Sequence, residues 1–138
     1  MKTYLTAYIA TLIAFVAIDF VWLSTMADRL YRPTLGEILA PQFRLAPALA
    51  FYLIYAAGLT FLAVRTGLIS RSMTTAVLHG AVIGLTAYAT YDLTNQSTLK
   101  NWSLLLTIAD LIWGTVLSAA ASGFGFWLTQ RIFGVARL

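Results

Sequence analysis

The chain has 138 residues, of which 60% are hydrophobic and 10% charged, whereas a soluble domain carries about 25% charged residues. Nine Lys or Arg and five Asp or Glu cannot coat a globule with polar groups, so an ordinary soluble enzyme is excluded; the high hydrophobicity also excludes a disordered chain. The net charge of +4 comes from basic residues scattered between apolar runs, a pattern of membrane topology and lipid headgroups and not of nucleic-acid binding. What remains is a small all-α integral membrane protein.

Four apolar runs are long enough to cross a hydrocarbon core of about 20 helical residues. They extend from about Tyr4 to Thr25, Pro47 to Val64, Thr74 to Thr94 and Ser103 to Gln130. The last would reach about 42 Å at ~1.5 Å per residue and must tilt or project. The first reads as a retained span and not a cleaved signal peptide, because it is too long, is interrupted by Asp19 and is followed by no small-residue cleavage site. Between the first two runs, Met26 to Ala46 mixes Asp28, Arg29, Arg32, Glu37 and Arg44 with Leu30, Tyr31, Leu35, Ile38 and Leu39. It is expected to lie at the interface, with a short helix beginning at Pro33 or Thr34 and ending before Pro41. The other connections are short, which predicts an up-down bundle of four transmembrane helices forming one membrane domain over residues 1–138.

Lys2, Arg65, Arg71, Arg131 and Arg137 fall on the side of the N-terminus, and Arg29, Arg32, Arg44 and Lys100 on the other. This small bias places both termini in the cytoplasm. Gly80 and Gly84 form a GxxxG in the third run, while Ser118, Ala119, Ser122, Gly123 and Gly125 line the fourth. These small residues suit close helix packing within the chain, and equally a homo-oligomer or a larger complex.

Charged groups inside a span are costly, about 2.5–3.5 kcal/mol at the helix centre. Asp19 lies inside the first run, Asp110 inside the fourth and Asp92 near the end of the third, and alternating directions bring all three toward one side. Asp19-Phe-Val-Trp22 and Asp110-Leu-Ile-Trp113 repeat one Asp-x-x-Trp pattern. Positions i and i+3 share a helix face, so each indole is expected beside its own Asp, donating to the carboxylate or to a ligand. The two copies, on opposed helices, are also what an inverted repeat would leave. Tyr88, Tyr91, Asp92 and Asn95 cluster at the end of the third run, and Tyr52 and Tyr55 sit one turn apart in the second. Asp92 is unfavourable at a helix C-terminus; it is expected to cap a turn, pair with Arg29, Arg32 or Arg44, or bind a ligand. His79, the single imidazole, could ligate a pigment or haem, although a plain hydrogen-bonded role is the commoner use. With no Cys, thiolate metal sites are excluded. No metal is expected, and no nucleophile elbow, P-loop or dinucleotide fingerprint is present.

The stretches Asp19-Phe-Val-Trp22-Leu23, Phe51-Tyr52 with Tyr55, Tyr88-Ala-Thr-Tyr91-Asp92-Leu-Thr-Asn95, Thr98-Leu-Lys-Asn-Trp102, and Asp110 with Trp113-Gly114 together resemble the bacterial predicted-membrane-protein family DUF2177. The resemblance extends along nearly the whole chain and is most specific from Tyr88 to Asn95. It implies a four-helix inner-membrane protein marked by Asp19, Asp92, Asn95 and Asp110, and it attaches no activity. The expectation is therefore a binding module for a small amphipathic or lipid-like ligand, with transport of that ligand as a further step. Asp19 and Asp110 would hydrogen-bond or carry protons, Trp22 and Trp113 would wall the site, and Tyr52, Tyr55, Tyr88, Tyr91, Asp92 and Asn95 would complete it. The alternatives are an accessory subunit of a pigment or respiratory complex and, less favoured for want of a nucleophile, an intramembrane lipid-modifying enzyme.

Overall fold

A computed structural model describes residues 2–134, apart from the side chain of residue 37; Arg137 lies outside the described residues. The described chain is helical, with no strand. Four long helices follow one another: Lys2–Leu35, Leu45–Ser70, Met73–Thr98 and Leu104–Phe133. The first, second and fourth are long and apolar enough to cross a membrane.

The first helix does not stop near Thr25. Ser24 and Thr25 return their hydroxyls to the carbonyls of Phe20, Val21 and Trp22, so polar side chains there cost the helix no backbone bond. The chain then passes through a π turn at Ala27–Tyr31, and Pro33 is accommodated in the first turn of the following α segment, Arg32–Leu35, where an N–H is not needed. The expected separate helix at Pro33 is thus a continuation, ended at Gly36 by a φ of 49° and a 3₁₀ turn to Ile38. Likewise the second helix runs past Val64, through a π turn at Thr60–Val64, to Ser70. Ser72 and Ser103 cap the third and fourth helices by accepting from Thr75 N and Leu106 N, the usual way of satisfying N-terminal amides.

The packing follows the membrane rule of small residues inside and large apolar ones outside. Ala7, Ala10, Thr11, Ala14, Ala56, Ala76, Ser118, Ala121 and Ser122 are buried, while Leu5, Ile13, Phe20, Ile54, Val82, Leu105 and Ile112 are exposed. The GxxxG is used within the chain. A Cβ on Gly84 would collide with the Gly114 carbonyl, and one on Gly80 with Ser118 and Ser122 of the fourth helix. The Gly80 contact at Ser122 and the Gly84 contact at Gly114 show those two helices running antiparallel. The first and fourth helices are also opposed, since Thr11 meets Gly125 and Asp19 meets Trp113.

The second helix is held differently along its length. Over Thr60–Ser70 it packs closely on the third helix, whereas over Leu45–Leu59 it leans on the first, with Phe15 wedged among Phe51, Tyr52 and Tyr55. Second and third helices therefore diverge toward Leu45 and Thr98.

Candidate functional site

Asp19 and Asp110 are 6% and 5% exposed, and each receives hydrogen bonds that cross between helices. The Tyr52 hydroxyl donates to Asp19 Oδ2 at 2.7 Å and the Trp113 indole to Asp19 Oδ1 at 3.1 Å. On the other side, Trp22 Nε1 donates to the Tyr31 hydroxyl at 3.0 Å, which donates in turn to Asp110 Oδ1 at 2.6 Å. The indoles of Trp22 and Trp113 lie stacked, 4.3 Å between centroids and 9° from parallel.

The expectation that each Trp serves its own Asp is therefore corrected: the pairs are exchanged. The cause is geometric. On opposed helices, equal three-residue spacings bring the Trp of one level with the Asp of the other. An indole reaching across also gains a stacking partner that a same-helix contact would not give it. The two halves differ in one respect, since Trp113 reaches Asp19 directly and Trp22 reaches Asp110 through Tyr31.

Tyr31 is the site residue that the sequence pattern did not single out. Nine residues of α-helix rotate by about 900°, which would put Tyr31 opposite Trp22. The π turn at Ala27–Tyr31 inserts about one residue and turns the phase back by ~100°, which leaves Tyr31 about 80° from Trp22 and brings its hydroxyl within reach of the indole. Only the polar tip on an otherwise apolar Leu30-Tyr31 pair hinted at it. Ser118, read as a packing residue, also takes part, its hydroxyl lying 2.9 Å from that of Tyr55.

Asp92 is different. It is fully buried, yet neither of its carboxyl oxygens has a hydrogen-bond partner. Capping and pairing with Arg29, Arg32 or Arg44 are thus both absent. Arg32 instead holds Asp28 at 2.9 Å on the exposed surface, and the helix end is closed by Leu99 N donating to Asn95 O at 2.8 Å. A buried polar group without a partner costs several kcal/mol in apolar surroundings, about 2–7 by transfer.

Where the second and third helices diverge lies a cleft of about 390 Å³ lined by Phe51, Ala87, Tyr88, Tyr91 and Asp110; Asp92, one helical turn beyond Tyr88, is not part of its wall. Its wall is mainly apolar, and Asp110 is the acidic residue in it. Of the ten candidate residues, Tyr88, Tyr91 and Asp110 line this cleft. Asp19, Trp22, Trp113 and Tyr52 form the bonded cluster behind it, and Tyr55 is tied to Ser118. Asn95 is half-buried in the last turn of the third helix, and Tyr91 leans edge-on against Trp102 with centroids 5.7 Å apart. His79 is exposed on the third helix. Among the described residues no three acids or imidazoles come together closely enough to hold a metal ion.

Comparison with curated proteins and with solved structures matches nothing. Comparison with protein families matches residues 4–127, thus including Asp19, Asp92, Asp110 and the cleft, to one described as a predicted membrane protein. The chain belongs to the DUF2177 family.

Proposed function

We propose that this membrane protein binds a small amphipathic, lipid-like molecule in the cleft between its second and third helices. The observation that carries the reading is an apolar cleft with Asp110 in its wall, together with Asp92, one helical turn beyond the cleft residue Tyr88 and buried with both carboxyl oxygens unpartnered. A ligand bearing hydrogen-bond donors would satisfy Asp92 and the remaining oxygen of Asp110, while its apolar part lies along Phe51, Ala87 and Tyr88. The divergence of the second helix from the third leaves the cleft open sideways, so such a molecule would arrive from the bilayer and not from water. The cluster of Asp19, Tyr52, Trp22, Trp113 and Tyr31 then acts as a rigid back wall.

The reading includes four crossings in an up-down bundle, with the third helix as a span despite its threonines. Thr86, Thr90, Thr94 and Thr98 each return the hydroxyl to the carbonyl four residues earlier, so their polarity is hidden from lipid. With four crossings both termini share a side, and the positive-inside count favours the cytoplasmic side of a bacterial inner membrane. Reporter fusions at the two termini and in the Pro41–Arg44 segment test this arrangement.

The binding itself is tested by purifying the protein in a mild detergent and identifying the small molecules that remain by mass spectrometry. Ala87→Trp, which fills the cleft from its wall, is expected to remove the bound species while helical content is kept. If the same species persists in that variant at the wild-type ratio, the cleft is not its site. Stable co-purifying protein subunits with no bound small molecule would favour an accessory role instead.

A further inference from the structure

The acids of the chain are sorted by end, whereas its basic residues occupy both. All five acids, Asp19, Asp28, Glu37, Asp92 and Asp110, belong to the half where the first helix ends and the fourth begins. The other end carries Lys2, Arg65, Arg71 and Arg131, and among the described residues no acid. Two of these arginines share a cleft of about 370 Å³ lined by Arg71, Met73, Phe126, Trp127, Gln130 and Arg131. Neither has an ion-pair partner among the described residues, where Asp28–Arg32 is the ion pair present.

Arg71 is also held in an unusual backbone. Its φ of 53° is left-handed, the only positive φ at a non-glycine position among the described residues. It closes the second helix with Arg71 N donating to Leu68 O and Ser72 N to Gly67 O, a turn for which glycine or asparagine is the easy residue. A long cationic side chain at such a position, facing the same cleft as a second arginine, is what an anion would need and what the turn alone does not.

We propose that this cleft is a site for an anionic phospholipid, separate from the Asp92 cleft and at the opposite end of the helices. The two guanidinium groups suit the oxygens of one phosphate, each presenting a planar fork of donors. Gln130 supplies a further amide donor near the glycerol esters. Trp127, half-exposed at the level expected for interfacial aromatics, together with Met73 and Phe126, receives the start of an acyl chain. A zwitterionic headgroup carries its own cation against the phosphate, so a net-negative headgroup is preferred.

The test is competition between phosphatidylglycerol and phosphatidylcholine of matched chains for the detergent-purified full chain, read by native mass spectrometry. Wild type is expected to retain phosphatidylglycerol at least about tenfold over phosphatidylcholine, given roughly fivefold per basic residue near a headgroup. Arg71→Gln with Arg131→Gln is expected to abolish the preference, and Arg71→Lys with Arg131→Lys to restore much of it. Should the glutamine pair disturb the turn, Arg71→Gly with Arg131→Gln keeps the turn relaxed and is expected to give the same loss. Arg65→Gln, at the same end but outside the cleft, is expected to leave the preference in place. Undiminished preference in either folded double variant, or an equal loss in Arg65→Gln, would overturn the assignment; the latter result places the effect in the charge of that end as a whole.

Discussion

Removing one oxygen atom tests the crossed cluster most sharply. Tyr31→Phe keeps the ring and deletes the hydroxyl that accepts from Trp22 Nε1 at 3.0 Å and donates to Asp110 Oδ1 at 2.6 Å. Two partners are stranded at once, and Asp110 is 5% exposed, so water is a poor replacement. An unsatisfied buried group costs about 1–3 kcal/mol. Hydrogen bonds between membrane helices average nearer ~0.6 kcal/mol, because a chain unfolded in the membrane finds other partners. The short bond to a carboxyl oxygen argues for the upper part of the membrane range for each stranded group, giving a loss of about 1.5–3 kcal/mol for the variant. Reversible unfolding in mixed micelles, followed by tryptophan fluorescence, measures it. Trp22→Phe should lose part of the same energy, and the double variant should cost clearly less than the two single losses added, with a coupling of about 1 kcal/mol. Losses below ~0.5 kcal/mol for Tyr31→Phe, or additivity within about 0.3 kcal/mol, would show that the bridge from Trp22 through Tyr31 to Asp110 does not hold the helices together.

Other substitutions probe separate parts of the fold by the same unfolding measurement unless stated. Gly84→Leu drives a side chain into the Gly114 carbonyl and is expected to destabilise by at least about 1–3 kcal/mol, whereas Gly58→Ala, where a Cβ meets open space, should be neutral or slightly stabilising. Arg71→Gly relieves the left-handed strain at φ 53° and should stabilise by up to about 1 kcal/mol while weakening anionic lipid retention, so stability and binding move in opposite directions. Trp113→Phe removes the donor to Asp19 and one indole of the 4.3 Å stack; near-ultraviolet circular dichroism should lose the exciton signal of the stacked pair, and an unchanged spectrum would contradict the stack. Asp28→Asn breaks an ion pair whose side chains are 73% and 76% exposed and should change stability by less than about 0.5 kcal/mol.

The helices were legible because a long apolar run admits few other structures. Their ends were less so. The sequence around Thr25, with Ser24, Asp28 and Pro33 close by, reads as a stop. The structure shows a helix that absorbs all of it, because the hydroxyls bond back and a π turn resets the phase before Pro33. A π turn leaves no residue-type signature at this spacing, and with it Tyr31 escaped notice. Conversely, the GxxxG was legible as a close-packing surface but not as to its partner, since Gly80 and Gly84 face the fourth helix of the same chain.

The repeated Asp-x-x-Trp pattern shows why a strong signal and a free site are not the same thing. Two equal spacings on opposed helices place complementary groups level with one another, so the better the two copies match, the more completely they satisfy each other. Asp19 accepts from Tyr52 and Trp113, and Trp22 donates to Tyr31. Those polar atoms are engaged inside the protein. Asp92 has no counterpart in a second copy, and among the described residues it is the buried acid whose two oxygens remain unpartnered. The physical prediction is an ordering of effects. Asp19→Asn should act first on stability, because it unbalances an occupied bonding cluster. Asp92→Leu should leave stability level or raise it, since replacing an unsatisfied buried polar group by an apolar one of similar size removes a cost, while ligand retention is lost. A large stability loss in Asp92→Leu would mean that this carboxyl is satisfied by the protein itself, and the cleft reading would lose its main support.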